Sequence, residues 1–228
     1  MSRWVVFDLF HTLIDGADDE RDRVVAGMAE IVGVEPSGLV RAYHETWRQR
    51  LLGWDVEETV RILAGRLGGS PIPRQVARAA DLRRALARRM LSAVPPTTLD
   101  TLDSLRAAGY RLGLISNATA ESAETWRDSP LARRFDVAIF SSTVGLAKPD
   151  SRIYVAALEA LKAPADSCFY VGDGADGELA GAAATGMTVI RTTEFNDTDP
   201  SWSGPAIASL TELPGMLARN GQPDGLPA

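Results

Sequence analysis

Arg3-Trp4-Val5-Val6-Phe7-Asp8-Leu9-Phe10-His11-Thr12-Leu13-Ile14-Asp15 decides how the rest of the chain is read. A short apolar run, Trp4 to Phe7, stops on a carboxylate, Asp8, and then breaks into a loop. A buried strand that ends this way presents its acid at the carboxyl edge of a sheet, where open α/β sheets bind ligands. The plainer reading makes Asp8 a loop cap. Three later stretches decide between the two.

Each of those stretches is an apolar run that ends on polar residues. Arg111 to Ile115 ends in Ser116-Asn117, and Val137 to Phe140 is followed by a loop holding Lys148-Pro149-Asp150. Cys168 to Val171 ends in Gly172-Asp173, and Met187 to Ile190 is a last run. Helical stretches separate them: Thr98 to Ala108, Glu121 to Phe135 (helical or irregular), Ser151 to Leu161 and Glu178 to Thr185. Strands alternating with helices indicate a parallel sheet covered on both faces. Residues 192–205 read as an irregular surface loop, Ala206 to Leu217 as a closing short helix, and the chain from Asn220 as a mobile tail.

Between the first run and Pro95-Pro96 no strand candidate occurs. From Val24 to about Met90 the apolar residues fall at helical spacing: Val24, Met28, Ile31 and Val32, then Leu39, Tyr43, Trp47 and Leu51, then Val56, Val60, Leu63 and Leu67. The stretch reads as a separate all-helical module of about four helices. The organisation expected is a core made of residues 1–15 and 95–228, with residues 16–94 as an inserted helical cap.

The chain has 228 residues and a net charge of -6, with 45% hydrophobic and 24% charged residues. These values suit an ordinary soluble protein and argue against nucleic acid or an anionic membrane as partner. No run is long enough to span a membrane, and no signal peptide is evident, so a cytoplasmic location is expected. The single cysteine, Cys168, lies in an apolar run and reads as a buried structural thiol. Monomer and homodimer both stay open.

The strand ends together offer a carboxylate nucleophile (Asp8), a hydroxyl donor (Ser116), a lysine (Lys148) and a second carboxylate (Asp173). Two carboxylates alone would repel each other, and a hard divalent cation resolves this. Mg²⁺ is held by one or two carboxylates plus a substrate phosphate. The chemistry indicated is metal-assisted displacement at phosphorus through an aspartyl-phosphate on Asp8.

This ordered set resembles the haloacid dehalogenase superfamily of hydrolases over nearly the full chain. The first motif stands as Asp8-Leu9-Phe10-His11-Thr12-Leu13, the second as Ser116, the third as Lys148, and the fourth as Gly172-Asp173 followed by a further acid, Glu178. The resemblance implies a Rossmann-like three-layer core with sheet order 5-4-1-2-3 and an inserted helical cap. It also implies roles. Asp8 attacks phosphorus, and Asp8, the backbone carbonyl of Phe10 and Asp173 hold Mg²⁺. Ser116 and the Asn117 amide hold phosphoryl oxygens, Lys148 steadies Asp8, and Thr12 supports the loop. Glu178 orients Lys148 or a metal-bound water, with Asp176 as the other candidate.

Phe10 departs from the phosphatase pattern. There the second Asp protonates the leaving group and then activates water, and phenylalanine does neither. His11 is a possible substitute; the plainer reading has it packed in the loop and turned away from Asp8. The resemblance also keeps a rival open. 2-Haloacid dehalogenases carry an aromatic residue at this position, attack carbon with the same Asp, use no metal, and hold halide with a cap arginine. Trp47-Arg48-Gln49-Arg50-Leu51-Leu52 is similar to that cap region, although the plainer reading puts Trp47 and Leu51 inward and both arginines in water. Arg48, Arg50 and Tyr43 are candidates to meet a second anionic group. Phosphonoacetaldehyde hydrolysis needs a cap lysine, and no lysine precedes Lys148. The resulting expectation is a Mg²⁺-dependent phosphatase acting on a small phosphorylated metabolite. A 2-haloacid dehalogenase-like hydrolase and a low-turnover phospho-ligand binding protein are the alternatives.

Overall fold

The computed structural model describes residues 3–220. A parallel sheet runs through the centre, with strands β1 (Trp4–Phe7), β2 (Arg111–Ser116), β3 (Val137–Phe140), β4 (Cys168–Gly172), β5 (Thr188–Thr192) and β6 (Ala206–Ile207). Their order is β3-β2-β1-β4-β5-β6. The expected five-strand order, read from its other edge, is the same, and β6 extends it by one edge strand. The residues of β6 were expected to begin a helix. Instead Ala206 and Ile207 pair with Arg191 and Thr192. The closing helix α11 (Leu213–Asn220) starts only after a Ser209 cap that accepts from the Thr211 amide at 3.3 Å. Apart from Asn220, the expected mobile tail lies outside the described residues.

β1 is buried on both faces, as a central parallel strand must be. Val5 and Phe7 join one apolar cluster with Leu112, Leu114 and Val171. Trp4 and Val6 join another with Ile115, Cys168 and Tyr170. Phe7 is in register with Leu114 of β2 and Val171 of β4, and the Asp8 amide continues the ladder by donating to the Val171 carbonyl at 2.9 Å. The first acid of the chain is thereby fixed at the carboxyl end of the middle strand.

The core helices are α6 (Pro96–Ala107), α7 (Ala120–Thr125), α8 (Ser141–Val144), α9 (Ser151–Leu161) and α10 (Glu178–Ala184). Between β1 and α6 runs the helical segment: α1 (Asp18–Val32), α2 (Pro36–Glu45), α3 (Trp47–Leu51), α4 (Val56–Arg66) and α5 (Pro73–Ser92). About four helices were expected here, starting near Val24. α1 starts earlier because Asp18, Asp19 and Glu20 occupy its first turn, where acids suit the helix dipole. The stripe Leu39 to Leu51 divides in two at Thr46, whose hydroxyl bonds back to the Ala42 carbonyl at 2.8 Å. Proline opens α2, and Asp55 caps α4 by accepting from the Glu58 amide at 2.7 Å.

The segment has its own apolar cluster, built from Val25, Met28, Leu39, Val60, Leu63 and Val76 among others. α5 bridges to the core: its Leu86, Met90 and Leu91 belong to the cluster beneath β1. No helix among the described residues is long and apolar enough to cross a membrane.

Candidate active site

Asp8 is buried at the end of β1, and burial pushes its carboxyl above the usual aspartate value, with Lys148 opposing the shift and Asp173 adding to it. Its Oδ1 accepts from Lys148 Nζ at 2.5 Å and its Oδ2 from the Thr12 hydroxyl at 3.3 Å. Lys148 also donates to Glu178 Oε2. Burial works against the ammonium, but the two carboxylates outweigh it and raise its pKa. Glu178 is pushed up to about 8 by its burial, against the pull of Lys148.

Asn117, just beyond β2, fixes the backbone of Lys148. Its Oδ1 accepts from the Lys148 amide at 2.8 Å, and its Nδ2 donates to the Lys148 carbonyl at 3.1 Å and to Asp176 Oδ2 at 2.7 Å. The sequence reading gave the Asn117 amide a ligand role; its side chain has this second, positioning one. Ser116, the last residue of β2, is fully buried, and its hydroxyl has no partner among the described residues. A buried unpaired hydroxyl at a strand end is a ready site for an anionic oxygen.

Asp173 follows β4 and is also fully buried. Its Oδ1 accepts from the Ala175 amide at 3.1 Å, and its Oδ2 from the Thr198 hydroxyl at 2.5 Å. Thr198 comes from the loop between β5 and β6, which the sequence reading took as plain surface. Carboxylate oxygens of Asp8, Asp173 and Glu178 lie within 4.8 Å of one another.

One requirement of this arrangement, Tyr170, carries no mark in the sequence, and a second, Gly172 of the fourth motif, gains its physical reason from the geometry. Tyr170 points from inside β4 into the lysine cluster, where its hydroxyl donates to Glu178 Oε2 at 2.8 Å and accepts from Lys148 Nζ at 3.2 Å. Gly172 must lack a side chain, since a Cβ there would stand 2.0 Å from Glu178 Oε1. Tyr170 looked like core filler because a strand buried on both faces shows no polar alternation.

A cavity of about 170 Å³ opens over Asp8 and Lys148, walled by Phe10, His11, Arg21, Trp47 and Asp176 among others. His11 adopts φ 59°, and its ring nitrogens meet Asn196 Nδ2 at 2.9 Å and Asp18 Oδ2 at 3.4 Å. The Arg21 guanidinium carbon lies 4.8 Å from the centre of the Phe10 ring.

Of the helical-segment candidates, Arg48 is exposed, as the plainer reading expected. Arg50 was expected in water as well and is instead buried, at 2% exposure. It folds over the Tyr43 ring, 3.5 Å from its centre, and donates to the Tyr43 carbonyl at 2.8 Å. The short α3 turns Arg50 inward beside Leu51 once the helix breaks at Thr46. Arg83 of α5 is buried too and donates through Nε and Nη2 to Glu121 Oε1 of α7, at 3.0 and 2.7 Å. A signal for it was present: Val76, Ala79, Ala80, Arg83, Leu86, Ala87 and Met90 form one buried stripe, and Arg83 occupies an inward position of it.

The family model of haloacid dehalogenase-like hydrolases matches residues 3–185. (S)-2-Haloacid dehalogenase 1 of a Pseudomonas species is 28% identical, over 95% of this chain and 97% of the relative. Glyceraldehyde 3-phosphate phosphatase of Methanopyrus kandleri is 26% identical, over 88% of each chain. Among solved structures, the 2-haloacid dehalogenase from Pseudomonas syringae superposes with a TM-score of 0.71 at 25% identity, covering 97% of this chain and all of that one. The phosphatase from Thermococcus onnurineus superposes with a TM-score of 0.70 at 20% identity, covering 94% of this chain and 97% of that one, which is a likeness of fold. Sequence motifs, sheet order and comparison agree: the chain belongs to the haloacid dehalogenase-like hydrolases.

Proposed function

We propose that the protein is a Mg²⁺-dependent phosphatase of a small phosphorylated metabolite, with Asp8 as nucleophile and the helices of residues 16–94 acting as a cap over the site. One observation carries this reading: three buried carboxylates, Asp8, Asp173 and Glu178, converge, and a single lysine pairs with two of them, Asp8 and Glu178. The surplus negative charge and the all-oxygen donor set fit a hard divalent cation. Asp8, Asp173 and the backbone carbonyl of Phe10 would hold it, and once bound it would supply charge neutralisation at the phosphoryl oxygens.

The chain's own residues do the rest. An Asp8 oxygen attacks phosphorus, the bond from phosphorus to the leaving oxygen breaks, and that oxygen takes its proton from water. Water then attacks the aspartyl-phosphate and frees Asp8 and inorganic phosphate. Lys148, held by Asn117 and Glu178, neutralises Asp8 and the transferring group. Ser116 offers its unpaired hydroxyl to a phosphoryl oxygen. Phe10 contributes neither acid nor base, so esters with acidic leaving groups are favoured over simple alkyl phosphates. The small cavity excludes large folded substrates.

A second reading, attack on the carbon of a 2-haloacid, is favoured by the apolar walls that Phe10 and Trp47 give the cavity. The test is a parallel screen of phosphate esters, acyl phosphates and 2-haloacids, with Mg²⁺ and with EDTA, beside Asp8→Asn. Phosphate release that needs both Mg²⁺ and Asp8 is expected. Halide release that survives EDTA would replace the phosphatase reading with the second one, and no product from any substrate would leave a binding role.

A further inference from the structure

Beside the Asp8 cavity the helical segment and the core enclose a second void, of about 20 Å³. It shares Phe10, Arg21 and Trp47 with the Asp8 cavity, so the two are neighbours across the same side chains. Arg21, Arg50 and Arg83 line it, and Tyr43 lies among them, with the Arg83 guanidinium carbon 5.2 Å from its ring centre. Two of the three guanidiniums already hold a carboxylate, Arg83 that of Glu121 and Arg21 that of Asp18 at 3.1 Å, while Arg50 holds none among the described residues.

The donors do not balance. Arg50 Nε, Arg50 Nη1 and Arg83 Nη1 are buried and without hydrogen-bond partners among the described residues, and the two residues are only 2% and 5% exposed. Leaving buried donors unpaired is costly, and more so when they are charged. Burial depresses Arg50 and, with the like charge of Arg83, Arg21, whereas Tyr43 and Glu121 raise Arg83 despite its burial, so the unmet donors are above all those of Arg50.

We propose that Arg21, Arg50 and Arg83 form a subsite for a carboxylate carried by the same substrate that presents its phosphoryl group to Asp8. The substrate class is therefore a compact phosphorylated carboxylic acid, an assignment that rests on the phosphatase reading above. The planar guanidinium fork pairs with a carboxylate in a bidentate way, and beside so small a void a flat carboxylate is accommodated with less displacement than a tetrahedral phosphate. A wider cleft of about 480 Å³, lined by Tyr43, Trp47, Arg21 and Arg50 and on its acidic side by Asp18, Asp19 and Asp22, continues outward from the cluster and gives the ligand a way in.

The test pairs probes that differ in the carboxylate: 3-phosphoglycerate against glycerol 3-phosphate, and phosphoglycolate against ethyl phosphate. Binding is read by calorimetric titration of the Asp8→Asn protein at constant ionic strength, and hydrolysis is read with the active protein and Mg²⁺. The carboxylated member of each pair should bind about tenfold or more tightly. Arg50→Gln should erase that preference, while Arg61→Gln, an exposed arginine of α4, should leave it intact. Arg50→Lys keeps the charge without the fork and should lose most of it; it also serves if Arg50→Gln fails to fold. Equal binding of both members of each pair by the unsubstituted cluster would overturn the subsite, as would a preference that survives Arg50→Lys or Arg50→Gln. The binding arm needs no turnover. Arg50-dependent carboxylate binding without phosphate release from these probes or from acyl and aryl phosphates would therefore keep the subsite and remove the phosphatase reading. Phosphate release without carboxylate preference would do the reverse.

Discussion

Asn117 grips the peptide of Lys148 at both ends, accepting from its amide at 2.8 Å and donating to its carbonyl at 3.1 Å. The only lysine in the cavity is thus positioned by its backbone as well as by Asp8 and Glu178. Asn117→Ala should remove both bonds at a cost of about 1–3 kcal/mol of stability. It should lower kcat far more than it raises KM, because a displaced ammonium no longer neutralises Asp8. Urea melts and steady-state kinetics check the two parts separately.

Ser116 makes the opposite expectation for stability. Its buried hydroxyl has no partner to lose, so Ser116→Ala should leave stability unchanged or raise it by up to about 1 kcal/mol. Activity should fall by about 10²-fold if the hydroxyl serves the phosphoryl group, in line with the loss of one oxyanion donor. Paired thermal melts and kinetics give the answer.

The Arg83–Glu121 pair joins the helical segment to the core with both side chains buried. Burial pushes the Glu121 carboxyl up, but Arg83 more than offsets this and leaves it below the usual 4.5. A carboxyl depressed on folding binds fewer protons in the native state. Its stabilisation is therefore full above the unfolded value and is lost as pH falls through the folded one. Glu121→Gln should cost about 3–5 kcal/mol at neutral pH, since Arg83 is left buried and unpaired. It should also flatten the loss of stability below pH about 4.5, as seen in urea melts repeated from pH 7 to pH 3.

Phe10→Asp should speed hydrolysis of alkyl phosphates, by up to about 10²–10⁴-fold. Arg21 lies 4.8 Å from the Phe10 ring centre, and so close a cation would hold the introduced carboxylate ionised. An ionised carboxylate serves as a base better than as an acid. The second step, attack of water on the aspartyl-phosphate, should gain more than the first. A pre-steady-state burst of leaving group from an acyl or aryl phosphate should shrink in the variant. Equal bursts in the two proteins would count against Phe10 as the seat of the missing base.

The sheet was legible in the sequence because each strand is a short apolar run ending on a polar residue. For that reason Asp8, Ser116, Asn117 and Asp173, with Lys148 in the loop after β3, stand out as candidates before any geometry. The arginine cluster as a whole was not legible, although Arg50 and Tyr43 stood among the candidates to meet a second anionic group. Arg21 sits in an acidic polar stretch, Arg50 in what looked like the wet face of a helix, and Arg83 in an Ala- and Arg-rich run. A guanidinium on a long flexible stem takes its place from residues far away in sequence, here Tyr43 and Glu121. Only Arg83 broke a local pattern, by interrupting an apolar stripe. Tyr170 was hidden for another reason: on a fully buried strand its hydroxyl is the only mark that separates it from a packing residue.

Thr198 lies beyond residue 185, where the family match stops, yet its hydroxyl bonds the most buried acid of the site at 2.5 Å. Arg191 anchors the loop that carries it, through Asp197 Oδ1 and the Asp199 carbonyl, both at 2.6 Å. A segment outside the shared motifs thus sets how tightly Asp173 is held. The setting of Asp173 in this chain therefore depends on a residue 25 positions further along, and exchanging that one loop would retune the acid centre while leaving every motif residue in place.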